Sequence, residues 1–169
     1  MRRLLDFLYD ASAWLAALAM IGVLLMVLLS IISRQVGFHL PGTDSYAGYA
    51  MAAAGFLALA HTLKRNEHIR VTLVLGRLQG RARRGLEIWA LTFGVLLAAL
   101  FAYYSVRLAW QSHTMHDIST GNDATPLWIP QIAMALGTVV LLVAFLDEWV
   151  AELRGQRKLP ESTEALRNE

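Results

Sequence analysis

The sequence predicts an all-α membrane protein with four transmembrane helices and a short amphipathic helix on the cytoplasmic surface. Of its 169 residues, 56% are hydrophobic and only 17% are charged, whereas about one quarter of the residues of a soluble domain are charged. The charged residues also avoid four long stretches. Lys, Arg, Asp and Glu are absent from residues 11–33, 45–63, 88–106 and 124–146.

Each of these stretches has the length and composition of a membrane-spanning helix. They contain 19 or 23 residues, and a helix needs about 20 mostly apolar residues to cross the hydrocarbon core. Apolar and polar residues do not alternate in them, which favours helices over barrel strands. Two tryptophan pairs, Trp89 with Trp110 and Trp128 with Trp149, are each 21 residues apart. This spacing is about 31 Å in a helix, which favours anchoring at the two membrane interfaces over packing in a core.

The basic residues predict the orientation of the chain. Thirteen of the fifteen Lys and Arg residues lie before the first span, between the second and third spans, or after the fourth. Because Lys and Arg prefer the cytoplasmic side, both termini and the second loop are predicted to be cytoplasmic. We therefore expect a multi-pass membrane protein with its N- and C-termini in the cytoplasm.

The second loop carries its arginines in a helical pattern. At 100° per residue, one 60° sector of a helix over residues 69–84 holds Arg70, Arg77, Arg81 and Arg84. A basic amphipathic helix of this kind lies on the membrane surface and binds anionic lipid; the alternative is a polar connector. Residues 1–153 thus form the transmembrane domain, and the polar tail 154–169 is predicted to be disordered.

Several function classes are excluded or disfavoured. The chain has no cysteine, so it holds neither a disulfide nor a thiolate-bound metal. It has no nucleophile elbow, phosphate-binding loop or HExxH pattern, and its predicted spans contain no charged residue of the kind that marks a transport pathway. A formal net charge of +2 is too small to indicate nucleic-acid binding. We expect a protein that is not an enzyme and has no cofactor or metal of its own.

The histidines offer an alternative function. A small redox subunit would anchor b-type haem through histidines, and the candidates are His39, His61, His113 and His116. Haem ligands normally come from facing helices at one depth in the membrane, and His61 has no partner at its level except His68, which lies outside the span. A third possibility is a membrane assembly factor without a transported solute.

Helix association has a clearer pattern. Gly48, Ala52 and Gly55 are spaced i, i+4, i+7 and form one small-residue face on the second span, suited to close helix packing. The face can serve packing inside the chain or contact with a partner protein. Arg34 and Asp44 flank the first outer loop, where they could pair, although anchoring at the membrane interface is the favoured role of each.

Several segments of the sequence have a distinctive form. The first span closes with "SIISRQVG", and the second runs through "GTDSYAGYAMAAAGFLALAHTLKRNEHIRV". The last span begins with the proline and tryptophan of "TPLWIPQIAMALGTVVLLVAFLDE". These segments resemble the small membrane subunit of tripartite ATP-independent periplasmic (TRAP) transporters, and the most specific part of the resemblance is the element Glu67-His68-Ile69-Arg70.

The resemblance implies an accessory subunit, in the bacterial inner membrane, of a sodium-coupled secondary transporter that imports an organic acid. A periplasmic binding protein would deliver the solute, and a large multi-span permease subunit would hold the solute and sodium sites. The small subunit would brace the static scaffold of the large one. The segment containing Glu67 and His68 is then a candidate for partner contact.

Overall fold

The computed structural model describes residues 2–38, 40–65 and 80–155, and for residues 2, 80 and 81 it describes the backbone alone. Within these ranges the protein is all-helical, as predicted. Its helices are α1 (Arg2–Val36), α2 (Thr43–Lys64), α3 (Gly80–Thr114) and α4 (Trp128–Leu153). Residues 66–79 and 156–169, which include most of the predicted surface helix and tail, lie outside the described residues.

The helices extend further than the charge-free stretches. α1 and α3 contain 35 residues each, about 52 Å at 1.5 Å per residue, and so exceed a hydrocarbon core of about 30 Å. Residues 80–84, the last five of the predicted surface helix, are the beginning of α3. A charged residue therefore marks where the apolar stretch stops and does not end the helix.

α4 begins four residues later than the fourth charge-free stretch. Ala124 has a φ of 47°, a left-handed conformation that a helix does not allow. Ile118 and Pro126 form an isolated antiparallel bridge, which closes the loop before α4 starts at Trp128. Pro130 lies in the first turn of α4, where its missing N–H costs no helical hydrogen bond.

Three of the four helices are long and apolar enough to cross a membrane, namely α1, α3 and α4. α2 has 22 residues, which is long enough, but its mean hydropathy is too low for it to be counted with the other three described helices. Its sequence explains the difference, because glycine and alanine contribute little hydropathy and Thr, Ser, Tyr, His and Lys lower it further.

The helices pack in the order α1, α2, α4, α3, so that α2 and α4 lie inside and α1 and α3 outside. The buried core joins α1, α2 and α4 through Tyr9, Ala60, Leu63, Leu141 and Ala144. The outer helices expose long rows of apolar side chains, such as Leu18 and Leu24 on α1 and Leu96 and Leu100 on α3. Such surfaces suit lipid or the helices of another membrane protein.

The fold has two ends, which we name after the residues that organise them. The Lys64 end contains the start of α1, the end of α2, the start of α3 and the end of α4. The Asp123 end contains the turn 37–42 and the loop 115–127. Successive helices therefore run in opposite directions through the bundle.

A glycine sets the distance between the two inner helices. A Cβ atom at Gly137 of α4 would lie 2.5 Å from the carbonyl oxygen of Phe56 on α2, closer than any real contact. Because backbone atoms cannot move aside as a flexible side chain can, only glycine allows this approach.

Gly137→Ala is expected to separate α2 from α4 and to lower the free energy of unfolding by about 1–3 kcal/mol, the usual cost of overpacking. An SDS titration of the purified chain in mixed micelles measures this. Gly85→Ala is the matched control, because its added Cβ meets nothing within 4 Å. Equal stability of the two variants would contradict the close packing of α2 and α4.

Candidate partner-binding site

The small-residue face of α2 points away from the rest of the chain. Gly48, Ala52 and Gly55 are exposed, and a Cβ atom added at either glycine meets nothing within 4 Å. The opposite side of α2 is buried through Ala54, Leu57, Ala60 and Leu63. Within the described part of the chain the face packs against no other helix. Of the two uses predicted for it, contact with a partner protein is therefore favoured over packing inside the chain.

Neighbouring side chains define the extent of this open face. Met51, which is 68% exposed, lies on the same side of the helix as Gly48 and Ala52. Asp44, one turn before Gly48, is also exposed and puts a carboxylate at the Asp123 end of the face. The open face thus consists of small side chains with one flexible methionine and one carboxylate. Such a surface allows the backbone of a partner helix to approach closely.

Asp123 holds the outer loop against α2. Its carboxylate accepts hydrogen bonds from the hydroxyls of Tyr49 on α2 (3.0 Å) and Ser119 in the loop (2.8 Å). A further hydrogen bond between the loop and α2 joins the hydroxyls of Thr125 and Tyr46 at 3.2 Å. Burial by itself would raise the pKa of Asp123, but hydrogen bonds from Thr125, Ser119 and Tyr49 hold that pKa well below its usual range.

The turn between α1 and α2 needs a glycine to make room for this loop. Gly42 has a φ of 85°, and a Cβ atom there would lie 2.9 Å from the Cβ of Asp123. Both the left-handed backbone and the lack of space exclude other residues. The turn and the loop therefore form one closed structure over the ends of α1 and α2.

Arg34 does not form the ion pair with Asp44 that the sequence allowed. The Asp44 carboxylate instead accepts a hydrogen bond of 3.3 Å from the hydroxyl of Ser30, one helical turn before Arg34. In the described ranges, the Arg34 side chain has neither an ion pair nor a hydrogen bond. The two charged side chains nevertheless line the same cavity of about 490 Å³.

The Lys64 end is organised by a charge cluster that joins the two inner helices. The ammonium group of Lys64 at the end of α2 donates to the carboxylates of Asp147 and Glu148 on α4, at 3.3 Å for Glu148. It also lies 5.3 Å from the ring centroid of Tyr9 on α1, a cation–π distance. Three helices are thus held together at one point.

The other predicted site residues are only partly described. The structure does not describe Glu67, His68, Arg70 and Arg77. Arg81 lies in the first turn of α3. Arg84 donates a hydrogen bond of 3.0 Å to the carbonyl of Leu153, so it satisfies the open end of α4.

His61 and His113 lie at opposite ends of the bundle, whereas His39 and His68 lie outside the described residues. Nδ1 of His61 is 3.6 Å from a carboxylate oxygen of Asp10 at the Lys64 end. His113 packs edge-on against Trp128, with ring centroids 5.2 Å apart, at the Asp123 end. Because a haem needs both ligands at one depth, these two histidines do not suit a shared haem, and no observation favours the redox alternative.

Two tryptophans of the predicted pairs are exposed and two are packed. Trp89 and Trp110 of α3 are 67% and 71% exposed, as expected for interface anchors. The indole of Trp149 on α4 donates a hydrogen bond of 3.0 Å to the hydroxyl of Thr92 on α3. On α4, Trp128 and Trp149 therefore join α4 to α3 as well.

Sequence reasoning missed the Lys64 cluster and the Asp123 hydrogen bonds. The cluster had a signal, since Lys64 ends one charge-free stretch and Asp147 follows another on the same predicted side. Asp123 had none, because its partners Gly42 and Tyr49 are more than 70 residues away. Contacts of that kind depend on which helices become neighbours.

The fold and its surfaces define a class of protein. It is a small helical membrane protein with apolar outer helices, whose polar groups fasten its own loops and helix ends. The family model described as "Tripartite ATP-independent periplasmic transporters, DctQ component" matches residues 23–155. The chain belongs to this family, and the resemblance noted from its sequence is confirmed. No curated protein matches the chain.

Membership fixes the general role of the chain. It is the small membrane subunit of a TRAP transporter in the bacterial inner membrane, and the family is a transporter component rather than an enzyme family. The family implies a large permease subunit and a periplasmic binding protein as its partners.

Asp123→Asn is expected to loosen the outer loop, because an amide oxygen accepts the hydrogen bonds of Tyr49 and Ser119 more weakly than a carboxylate. Hydrogen exchange at residues 115–127 should become faster than in the unchanged chain. Asp117→Asn is the control, since among the described residues the Asp117 side chain makes no hydrogen bond. Unchanged exchange in Asp123→Asn would contradict the anchoring role.

The pH dependence follows from the sign of the shift. Because the folded-state pKa is lowered, the stabilisation by Asp123 is fully present above its unfolded pKa of about 3.9 and disappears as the pH falls further. Protection of the loop should therefore persist from pH 7 down to about 4. Loss of protection near pH 6 would contradict this assignment.

Lys64→Met is expected to lower the free energy of unfolding by about 1–3 kcal/mol, because it removes the cation to which the half-buried carboxylates of Asp147 and Glu148 bind. The double variant Lys64→Met with Asp147→Asn should recover part of this loss. Arg154→Met is the control, since Arg154 lies at the same end of the bundle, is exposed, and its side chain pairs with no described residue. Additive effects of the Lys64 and Asp147 changes in SDS titrations would contradict the cluster.

Proposed function

We propose that this subunit is the static brace of a sodium-coupled TRAP transporter that imports an organic acid. The observation that carries the proposal is the family match over residues 23–155. The structure supports a bracing role, because the polar groups of the described residues fasten loops and helix ends and leave no charged group in the middle of the bundle. The sodium and solute sites are then expected in the large permease subunit.

In this proposal all four helices cross the membrane. α2 lies between α1 and α4 and runs antiparallel to α1, so it shares their depth. Its 22 residues measure about 33 Å, enough to cross the hydrocarbon core. A helix with small residues and little hydropathy is stable there when other helices cover it.

The Lys64 end is proposed to face the cytoplasm. The start of α1, the end of α2, the start of α3 and the end of α4 all lie at this end, and thirteen of the fifteen basic residues belong to the flanking segments. The positive-inside rule assigns such an end to the cytoplasm. We also retain the proposal that Arg70, Arg77, Arg81 and Arg84 bind anionic lipid at this surface.

The open face of α2 is proposed to receive a helix of the large permease subunit. Gly48, Ala52 and Gly55 allow a backbone to approach closely, and such contacts drive helix association in lipid. Glu67 and His68 would add contacts to the same partner at the cytoplasmic end. The brace would then be attached through the inner part of its own bundle.

The function is tested by uptake into proteoliposomes. Vesicles containing this subunit and the large permease, with the binding protein outside, should accumulate a radiolabelled organic acid when an inward sodium gradient is applied. Omission of this subunit should abolish uptake. Equal uptake without this subunit would contradict its role in transport. Uptake that does not depend on the sodium gradient would contradict sodium coupling.

Replacement of the small residues tests the contact face. Gly55→Leu and Ala52→Leu should reduce co-purification of the large subunit by roughly ten-fold, a loss of about 1.4 kcal/mol in binding free energy. Ala17→Leu, at an exposed alanine of α1, is the matched control. Normal co-purification of the α2 variants together with normal uptake would place the partner elsewhere.

A further inference from the structure

The described part of the chain contains a cavity of about 490 Å³ at the Asp123 end, between the end of α1 and the start of α2. Its polar lining includes Ser30, Arg34, Asp44 and Ser45, and its apolar lining includes Phe38 and Leu40. A cavity with a few converging polar groups is the usual form of a small-ligand site.

The two charged groups of the cavity are available for a ligand. Asp44 accepts one hydrogen bond, from Ser30, which leaves further acceptor positions on its carboxylate. Arg34 is exposed and is not paired with Asp44 or with any other described residue. A guanidinium and a carboxylate that line one cavity without pairing suit a ligand with an anionic group and a cationic group of its own.

The position of the cavity along the membrane normal indicates which class of ligand it can bind. Arg34 is the first charged residue after the stretch 11–33, and Asp44 is the last before the stretch 45–63. Both therefore lie where the chain leaves the hydrocarbon core, at the level of lipid headgroups. Phe38, which also lines the cavity, is 62% exposed, and its ring provides apolar surface for an acyl chain.

We propose that this cavity binds a phosphoethanolamine group, with its phosphate on Arg34 and its ammonium on Asp44. Arginine presents a planar fork of donors that matches phosphate oxygens. The carboxylate opposite it attracts an ammonium group and repels an anionic headgroup. The position at headgroup depth favours a zwitterionic phospholipid as the source over soluble phosphoethanolamine. This inference does not depend on the identity of the transported solute.

Native mass spectrometry of the complex tests the proposal. The complex of this chain with its large subunit is reconstituted in nanodiscs of phosphatidylethanolamine and phosphatidylglycerol at equal amounts, and the retained lipids are counted after release. The unchanged chain should retain phosphatidylethanolamine preferentially. Arg34→Gln should reduce that retention roughly ten-fold, as expected for loss of a charge-assisted hydrogen bond, and Asp44→Asn should abolish the preference over phosphatidylglycerol.

The controls separate the possible outcomes. Arg107→Gln removes an exposed arginine of α3 that does not line the cavity and should retain the lipid as the unchanged chain does. Competition by millimolar soluble phosphoethanolamine would support the same chemistry with a soluble source. Equal retention in Arg34→Gln and Arg107→Gln, with both variants eluting as intact complexes, would overturn the proposal.

Discussion

The close approach of α2 to α4 determines the rest of the structure. In lipid there is little hydrophobic driving force for apolar side chains of two helices to pack together, because lipid tails are equally apolar. Helices therefore associate where their backbones can come close. Gly137 allows that approach by leaving the carbonyl of Phe56 room. The two inner helices then define the positions at which α1 and α3 pack on either side.

The polar contacts secure this arrangement at both ends. Lys64 joins the inner helices to each other at one end, and Asp123 joins the outer loop to α2 at the other. Both groups lie at the ends of the bundle, and the hydrogen bonds to their charged forms offset the cost of their partial burial. The middle of the bundle is left to small and apolar residues. This distribution suits a subunit that supports a partner and does not itself carry a solute across the membrane.

The sequence predicts the helices well because charged residues are costly in hydrocarbon, and their absence marks α1, α3 and α4 directly. It predicts helix ends less well, since α1 and α3 continue past the charges into the interface. Pairing between distant segments is harder still. From their positions in the sequence Arg34 and Asp44 could have paired, yet the Asp44 carboxylate accepts a hydrogen bond from Ser30, which lies one helical turn before Arg34. The open direction of Gly48 was likewise undecided until the neighbours of α2 were known.

The central claim is that the open face of α2 meets the large permease subunit inside the membrane. The most direct measurement is photo-crosslinking in native membranes with a benzoylphenylalanine at Ala52, compared with the same label at the exposed Leu18 of α1. The account predicts a crosslink to the large subunit from position 52. A crosslink from position 18 alone, with only lipid adducts from position 52, would contradict it.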